Sequence, residues 1–211
     1  MIAYHLVYDI LPGNPRRFRV LVAYKNVHGS RFGGDVKPRS MVLNGAGQLV
    51  IPGGKVEAAD EITGGRTEFF EETGIDLRDL AVRQQMGCMR DAWFYAIDEE
   101  AKAYCVYQQV QDVMLVQRVG NDNIQGRGQL PLDEELHHME VHDASDAWGR
   151  FRAVWPNELK SDWRGDQYRQ LTRGQKDKAE QKARASYGWY RTAVEQLTKS
   201  LSTTPPAPTR T

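Results

Sequence analysis

Three glutamates, Glu68, Glu71 and Glu72, lie within five positions of the segment EFFEE. On a helix, residues spaced i, i+3 and i+4 share one face, and like charges at that spacing weaken the helix by a few tenths of a kcal/mol per pair. Carboxylate oxygens are the ligands that Mg²⁺ prefers. The spacing therefore predicts a divalent-cation site, and the alternative is a solvated acidic helix face that ends at a glycine.

The segment before these glutamates can position them. The strand-like stretch QLVI is followed at once by Pro52-Gly53-Gly54, which predicts a strand and then a sharp turn. Asp60 is expected to cap a helix that runs to about Thr73 and ends at Gly74. A glycine inside a helix costs about 0.5–1 kcal/mol relative to alanine. Gly64, one turn before Glu68, is expected to leave open space beside the carboxylates.

This segment resembles the signature of the Nudix hydrolase family. Its second half, Glu-U-x-Glu-Glu-x-Gly-U with U apolar, matches the residues from Glu68 to Ile75, and PGGKVE matches the usual lead-in. The resemblance implies an α/β fold, an α/β/α sandwich with a mixed β-sheet. It also implies hydrolysis, dependent on Mg²⁺ or Mn²⁺, of a small-molecule nucleotide, namely a nucleoside diphosphate linked to another moiety.

The resemblance also implies roles for particular residues. Glu71 and Glu72 would be the main metal ligands, Glu68 a ligand or general base, and the carbonyl of Gly53 a further ligand. Many enzymes of the family add a later acidic group near the metals. Here the candidates are Glu134, Glu135 and Glu140.

Two departures from the family pattern open alternatives. The arginine that precedes the first helix glutamate is replaced by Thr67, with Arg66 one position earlier. Counted from Gly54, the first acidic position falls on Asp60 and the spacer to Glu68 is one residue short; counted from Gly53, the spacing to Glu68 is right but the acidic position is Ala59. A catalytically weak or inactive nucleotide-binding or regulatory module is therefore one alternative, and an RNA 5′-end pyrophosphohydrolase is another.

Other stretches predict the remaining elements. Strands are expected at residues 4–10, 18–25, 41–43, 48–51, 92–97, 103–109, 113–119 and 136–141, with a hairpin around NGAG, a loop over residues 26–40 and a short helix in ASDAWGRF. The aromatic run AWFYAI is expected to form a buried strand, and a ring of this run stacking on a nucleobase is the alternative. His137 and His138 are expected to be ordinary surface or half-buried residues.

Residues 166–201 predict a long amphipathic C-terminal helix. Its apolar stripe consists of Ala183, Tyr187, Tyr190, Val194, Leu197 and Leu201. The stripe is expected to pack against the domain or against a second copy of the chain, which would form a homodimer. The predicted organisation is a hydrolase domain at residues 1–160, a helical extension at 161–201 and a disordered, Pro- and Thr-rich tail at 202–211.

Bulk composition excludes several classes of protein. The 28 basic and 28 acidic residues balance, so nucleic acid is an unlikely partner. No apolar run reaches the length of a membrane span, and the start has no basic leader followed by an apolar stretch of signal-peptide length. The two cysteines, Cys88 and Cys105, lack metal-ligand spacing and are expected to be free thiols. These features predict a cytoplasmic protein.

Overall fold

A mixed seven-stranded sheet forms the centre of the protein. The computed structural model describes residues 1–14, 16–151, 167 and 169–203. The strands of this sheet are β1 (Ile2–Ile10), β2 (Phe18–Lys25), β5 (Leu49–Val50), β6 (Gly53–Lys55), β7 (Trp93–Asp98), β8 (Ala103–Gln109) and β9 (Leu136–Asp143). The order is β5-β2-β1-β8-β7, with β6 paired to β1 and β9 to β2. Only the β1–β8 pair among them is parallel.

Helices cover both faces of this sheet. They are α1 (Glu61–Thr73), α2 (Leu80–Gln85), α3 (Val113–Ile124), α4 (Ala144–Arg150) and α5 (Arg173–Thr203). Successive residues of β1 point to opposite faces: His5 contacts Phe69 of α1, whereas Tyr4 contacts Tyr190 of α5, each with ring centroids about 5 Å apart. The expected α/β fold, with a mixed sheet between helical layers and a long C-terminal helix, is confirmed.

Helix α1 has the ends that the sequence predicts. The Asp60 side chain accepts a hydrogen bond from the Thr63 amide, and Gly74 ends the helix in the left-handed conformation at φ 71°. The expectation of open space at Gly64 is wrong, because a Cβ there would lie 2.9 Å from Val56 Cγ2. A Cβ at Gly65 would lie 2.6 Å from Val106 Cγ2. The two glycines therefore let α1 approach the sheet closely.

Three predicted elements are wrong: the loop at residues 26–40, the hairpin around NGAG and the strand at residues 113–119. Residues 26–40 are not a loop, because β3 (His28–Phe32) and β4 (Asp35–Val42) form an antiparallel hairpin whose turn, Gly33-Gly34, has positive φ at both positions. The hairpin expected around NGAG does not form, since β4 pairs with β3 and β5 with β2.

The predicted strand at residues 113–119 is helix α3. The apolar letters VMLV suggested a strand, yet the buried residues of α3 follow helical spacing: Val113, Val116, Gly120 and Asn123. Asp112 caps the helix by accepting a hydrogen bond from the Met114 amide at 3.0 Å. The cap and the spacing of three and four residues fix the helix.

Helix α5 packs onto the sheet of its own chain. Tyr187, Tyr190, Val194 and Leu197 are at most 7% exposed and belong to the same hydrophobic core as β1, β2 and β8. Packing against the domain, one of the two expectations for the stripe, is therefore what the structure shows. The expected boundary between residues 160 and 161 and residues 204–211 of the expected tail lie outside the described residues. No helix among the described residues is long and apolar enough to cross a membrane.

Candidate active site

A cavity of about 590 Å³ lies at the end of the sheet where β1 begins and β2 ends. Helices α1 and α5, from the two layers, both line it. From the predicted site, Gly53, Glu68 and Glu71 reach the cavity wall. Glu72 lies beside it, and its Oε2 accepts a hydrogen bond of 2.8 Å from the Gly53 amide. The structure thus brings the four predicted site residues together.

The glycines of the turn allow this close approach. Gly53 has a φ of 150°, and a Cβ there would lie 2.6 Å from the Cα of Tyr4. A Cβ at Gly54 would lie 2.6 Å from Glu68 Oε2. Side chains at these two positions would therefore displace β1 or the Glu68 carboxylate.

Among the candidates for the later acidic group, only Glu135 lines the cavity. Glu134 instead accepts hydrogen bonds from the Ser30 amide and hydroxyl, which lower its pKa. Glu140 accepts from His138 and His142 on strand β9, at 3.1 and 2.9 Å if those ring nitrogens carry the protons, and these bonds lower its pKa.

Asp133 is a cavity carboxylate that was not predicted from the sequence. It lines the cavity and accepts a hydrogen bond from the Gly33 amide in the β3–β4 turn. Its own amide donates to the Glu71 carbonyl at 2.8 Å. The segment DEE at residues 133–135 was a visible signal, but nothing local showed that it lies against the end of α1.

Lys25, at the end of β2, is a half-buried cation in the cavity wall. Its ammonium group forms an ion pair with Glu135, and the two side chains are 14% and 20% exposed. Lys55 also lines the cavity but is exposed. The positive charge of Lys25 also acts on Glu72, Glu68 and Asp133, whose pKa values it lowers against the opposing effects.

Four carboxyl groups in or beside the cavity nonetheless hold their protons more strongly than usual. Burial, and then repulsion by Glu71 and Asp133, raise the pKa of Glu68 to about 8. Burial raises the pKa of Glu72 well above its usual value, and burial also raises those of Glu71 and Asp133. Both causes disfavour the charged form. The cavity therefore carries more carboxyl groups than Lys25 compensates.

The donor set fits a hard divalent cation by its chemistry. All of the acidic groups offer oxygen, as Mg²⁺ requires, and a cation among them would remove the repulsion that raises their pKa values. As the side chains stand, the described residues contain no group of three or more His, Cys, Asp and Glu side chains that could hold a metal ion. The carboxylates would have to turn toward one point to bind it.

Helix α5 supplies the other wall of the cavity. Ser186, Tyr187, Trp189 and Tyr190 line it together with Gln48. From the sequence, this helix was expected to serve packing alone. Its stripe of tyrosines does pack, and the same helical turns also border the cavity.

The aromatic run of β7 lies elsewhere. Trp93 stacks on Tyr107 with ring centroids 4.0 Å apart, while Phe94 and Tyr95 are 44% and 40% exposed. None of these three rings lines the cavity. Cys88 and Cys105 are free thiols, as expected, and neither lines the cavity.

No protein-family model and no curated protein sequence matches the chain. Structural neighbours are Nudix and MutT proteins. A MutT/Nudix family protein from Listeria innocua is 14% identical over 70% of this chain and 80% of that chain, with a TM-score of 0.36. RenU, a Nudix hydrolase from M. smegmatis, is 11% identical over 97% of this chain and 87% of that chain, with a TM-score of 0.40. At these values neither likeness carries an argument about activity.

Proposed function

We propose that this chain is a Nudix-type pyrophosphohydrolase, which uses Mg²⁺ or Mn²⁺ to cleave the phosphoanhydride bond of a nucleoside diphosphate linked to another moiety. The observation that carries the proposal is the cavity in which Glu68, Glu71, Asp133 and Glu135 meet beside the turn at Gly53. Like-charged groups with raised pKa values, gathered in one cleft, are typical of a functional site. The proposal extends to a cytoplasmic location.

The proposed roles follow from where each group lies. Glu71 and Glu72, with Glu68 and the carbonyl of Gly53, would hold the metal, and Glu135 or Asp133 would complete the oxygen donors. The bound metal would neutralise charge on the phosphoryl oxygens and lower the pKa of a coordinated water.

Glu68 is also placed to act on the attacking water. It lines the cavity together with Glu71 and Lys25, and a general base must lie within hydrogen-bond reach of the proton that it takes. Its carboxylate would take the proton from the water that attacks phosphorus. Lys25, which lines the same cavity, would bind a phosphate oxygen or hold Glu135 in place.

A hydrolysis screen with Mg²⁺ and with Mn²⁺ tests the proposal. The substrates should span NTPs, ADP-ribose, NAD, dinucleoside polyphosphates, nucleotide sugars and 5′-triphosphate RNA. Glu71→Gln is expected to lower kcat on the best substrate by at least about a hundredfold, because loss of a metal ligand removes transition-state stabilisation. Glu72→Gln is expected to do the same, and the amide oxygen of the substituted side chain can still accept the hydrogen bond from the Gly53 amide.

Glu61→Gln is the matched control, since Glu61 lies in the first turn of α1 and does not line the cavity. It should leave kcat within about twofold, as expected for a surface substitution away from the site. Wild-type rates for both Glu71→Gln and Glu72→Gln would contradict the metal-site assignment. Nucleotide binding without hydrolysis by the wild type would favour the regulatory module, which Thr67 motivates.

A further inference from the structure

The amide of Gln48 is a buried polar group whose hydrogen bonds are incomplete. Gln48 is 1% exposed and lines the cavity. The Tyr187 hydroxyl donates to its Oε1, and its Nε2 has no partner among the described residues. Exchanging the oxygen and nitrogen of the amide would leave the oxygen unpaired instead, so one unpaired polar atom remains in either orientation.

An unpaired buried donor is costly, at about 1–3 kcal/mol. Most buried polar groups in proteins do have partners, so an exception calls for an explanation. Because Gln48 lines the cavity, a ligand that fills the cavity can accept this bond. The hydroxyl of Tyr187 holds the amide oxygen, which leaves the NH₂ group as the free end.

Trp189 supplies a fixed aromatic ring on the same wall. It is half-buried and lines the cavity. Its Nε1 donates to Asp98 Oδ2 at 3.2 Å, and its ring lies 6.2 Å from that of Tyr4. These contacts hold the indole in place without using a further polar group of the cavity.

The cavity thus combines groups that can bind a metal with groups that can bind an aromatic ring. Its lining includes carboxylates from α1 and from residues 133–135, and it also includes the Trp189 indole of α5 and the Gln48 amide with its unpaired donor. Its volume of about 590 Å³ falls within the usual range of about 300–1,000 Å³ for small-molecule pockets. Phosphates match a metal held by the carboxylates, and a flat ring with acceptor atoms matches the indole and the amide donor.

We propose that Gln48 and Trp189 form the subsite for a planar heteroaromatic ring attached to the diphosphate, with Trp189 stacking on the ring and Gln48 donating to one of its acceptor atoms. Tyr187 is a positioning residue, because it acts through the Gln48 amide. This inference rests on the proposed function, since it assigns the part of the ligand that lies beyond the phosphates. The C-terminal helix then sets specificity.

Calorimetric titration with two non-hydrolysable ligands in Mg²⁺ tests this assignment. The first ligand is the α,β-methylene analogue of a nucleoside diphosphate, in adenine and uracil forms. The second is methylenediphosphonate, which has the same bridge and no ring. Binding of the better nucleotide analogue should weaken about tenfold in Trp189→Leu, because stacking on an aromatic side chain is worth about 1–3 kcal/mol per base. Gln48→Leu should weaken it severalfold, and both variants should bind methylenediphosphonate within about twofold of wild type.

Trp148→Leu is the matched control. Trp148 is also half-buried and its Nε1 also donates to a carboxylate, that of Glu195 at 2.9 Å, but it lines a different pocket. It should leave the binding of both ligands unchanged. If Gln48→Leu does not fold, Tyr187→Phe is the second variant, because it keeps the ring and removes the hydroxyl that orients the Gln48 amide. It should weaken the binding of the nucleotide analogue and leave the binding of methylenediphosphonate unchanged.

Three results would overturn the assignment. Unchanged nucleotide binding in Trp189→Leu and Gln48→Leu is the first, and equal weakening of both ligands is the second. The third is equal affinity of the wild type for methylenediphosphonate and for the nucleotide analogues. This result would contradict the ring subsite without contradicting the proposed hydrolase function. A wild type that binds neither ligand would remove the proposed function together with the subsite.

Discussion

Replacing Lys25 with methionine tests how much the half-buried positive charge of the cavity stabilises the folded protein. Lys25 pairs with Glu135, and the two side chains are only 14% and 20% exposed. Removing one partner of a buried ion pair costs about 3–5 kcal/mol, because the other charge is left uncompensated. Some exposure remains and the neighbouring carboxyls can take up protons, so we expect the lower end, about 3 kcal/mol. At about 2–4 °C per kcal/mol for a chain of this length, Tm should fall by about 6–12 °C.

The assay is thermal unfolding at pH 8 in EDTA, followed by titration with Mg²⁺. Mg²⁺ should raise the Tm of Lys25→Met more than that of wild type, since a bound cation replaces the missing charge and stabilises the folded state by mass action. Lys55→Met is the control, because Lys55 lines the same cavity but is exposed. It should change stability by no more than about 0.5 kcal/mol. An unchanged Tm for Lys25→Met in EDTA would refute the view that Lys25 holds these carboxylates together.

Three further substitutions test the fold around the site. Gly65→Ala should destabilise the protein by about 1–2 kcal/mol and lower kcat, because the new Cβ would lie 2.6 Å from Val106 Cγ2 and push α1 outward. Gly188→Ala, where no described atom lies within 4 Å of the new Cβ, should instead be neutral or stabilising, and equal effects of the two substitutions in denaturant titrations would contradict this. In EDTA, the folded-state pKa of Glu68, raised to about 8, gives a contribution to stability that is full below about pH 4.5 and is lost as pH rises toward 8. Glu68→Gln should remove this contribution and so make the change in Tm over that range less negative, and an unchanged slope would contradict the raised pKa of Glu68. Leu197→Ala should cost about 2–5 kcal/mol without changing the mass seen by ultracentrifugation, whereas a smaller mass would show that the α5 stripe holds a second copy.

Much of the fold could be predicted because short stretches of sequence mark where several strands and helix α1 begin and end. Strands β2 and β8 have the predicted bounds, and helix α1 is bounded by a capping aspartate and a left-handed glycine that both leave clear sequence signals. The β3–β4 hairpin was missed although Gly33-Gly34 is a strong two-residue turn signal. Helix α3 was missed because its apolar run is short, and a run of that length fits either a buried strand or a helix.

The candidate site was predictable only in the part that lies within one segment. Glu68, Glu71 and Glu72 share a helix, so their spacing places them together. Asp133 and Lys25 reach the same cavity from distant parts of the chain, and nothing in their local sequence shows it. Of the four α5 residues, Tyr187 and Tyr190 belong to the apolar stripe, whose spacing does not distinguish packing from a cavity wall. Ser186 and Trp189 lie outside that stripe, and nothing in their local sequence marks them.

Thr67 replaces the family's arginine, and the neighbouring arginines do not take over its position beside the helix glutamates. Arg66 donates to Gln108 at 3.4 Å, on the side of α1 away from Glu68. At Thr67 the hydroxyl accepts a long bond of 3.4 Å from Arg78, which also forms an ion pair with Asp76. Among the residues that the structure describes, no arginine lines the cavity.

Lys25, the cation that pairs with a cavity carboxylate, therefore comes from the sheet, whereas Arg78 lowers the pKa of Glu71 from the segment that follows α1. Lys25 ends strand β2, and its amide donates to the Gln48 carbonyl at 2.8 Å, which ties the cation to the backbone that also carries the Gln48 amide. A lysine offers a compact charge without the two-pronged geometry of a guanidinium. Lys25 thus acts on several carboxylates at once, while the backbone amides of Gly53 and Gly33 donate to Glu72 and Asp133 individually. This arrangement agrees with side chains that do not yet converge on a single point, and it makes the order of the site depend on what binds there.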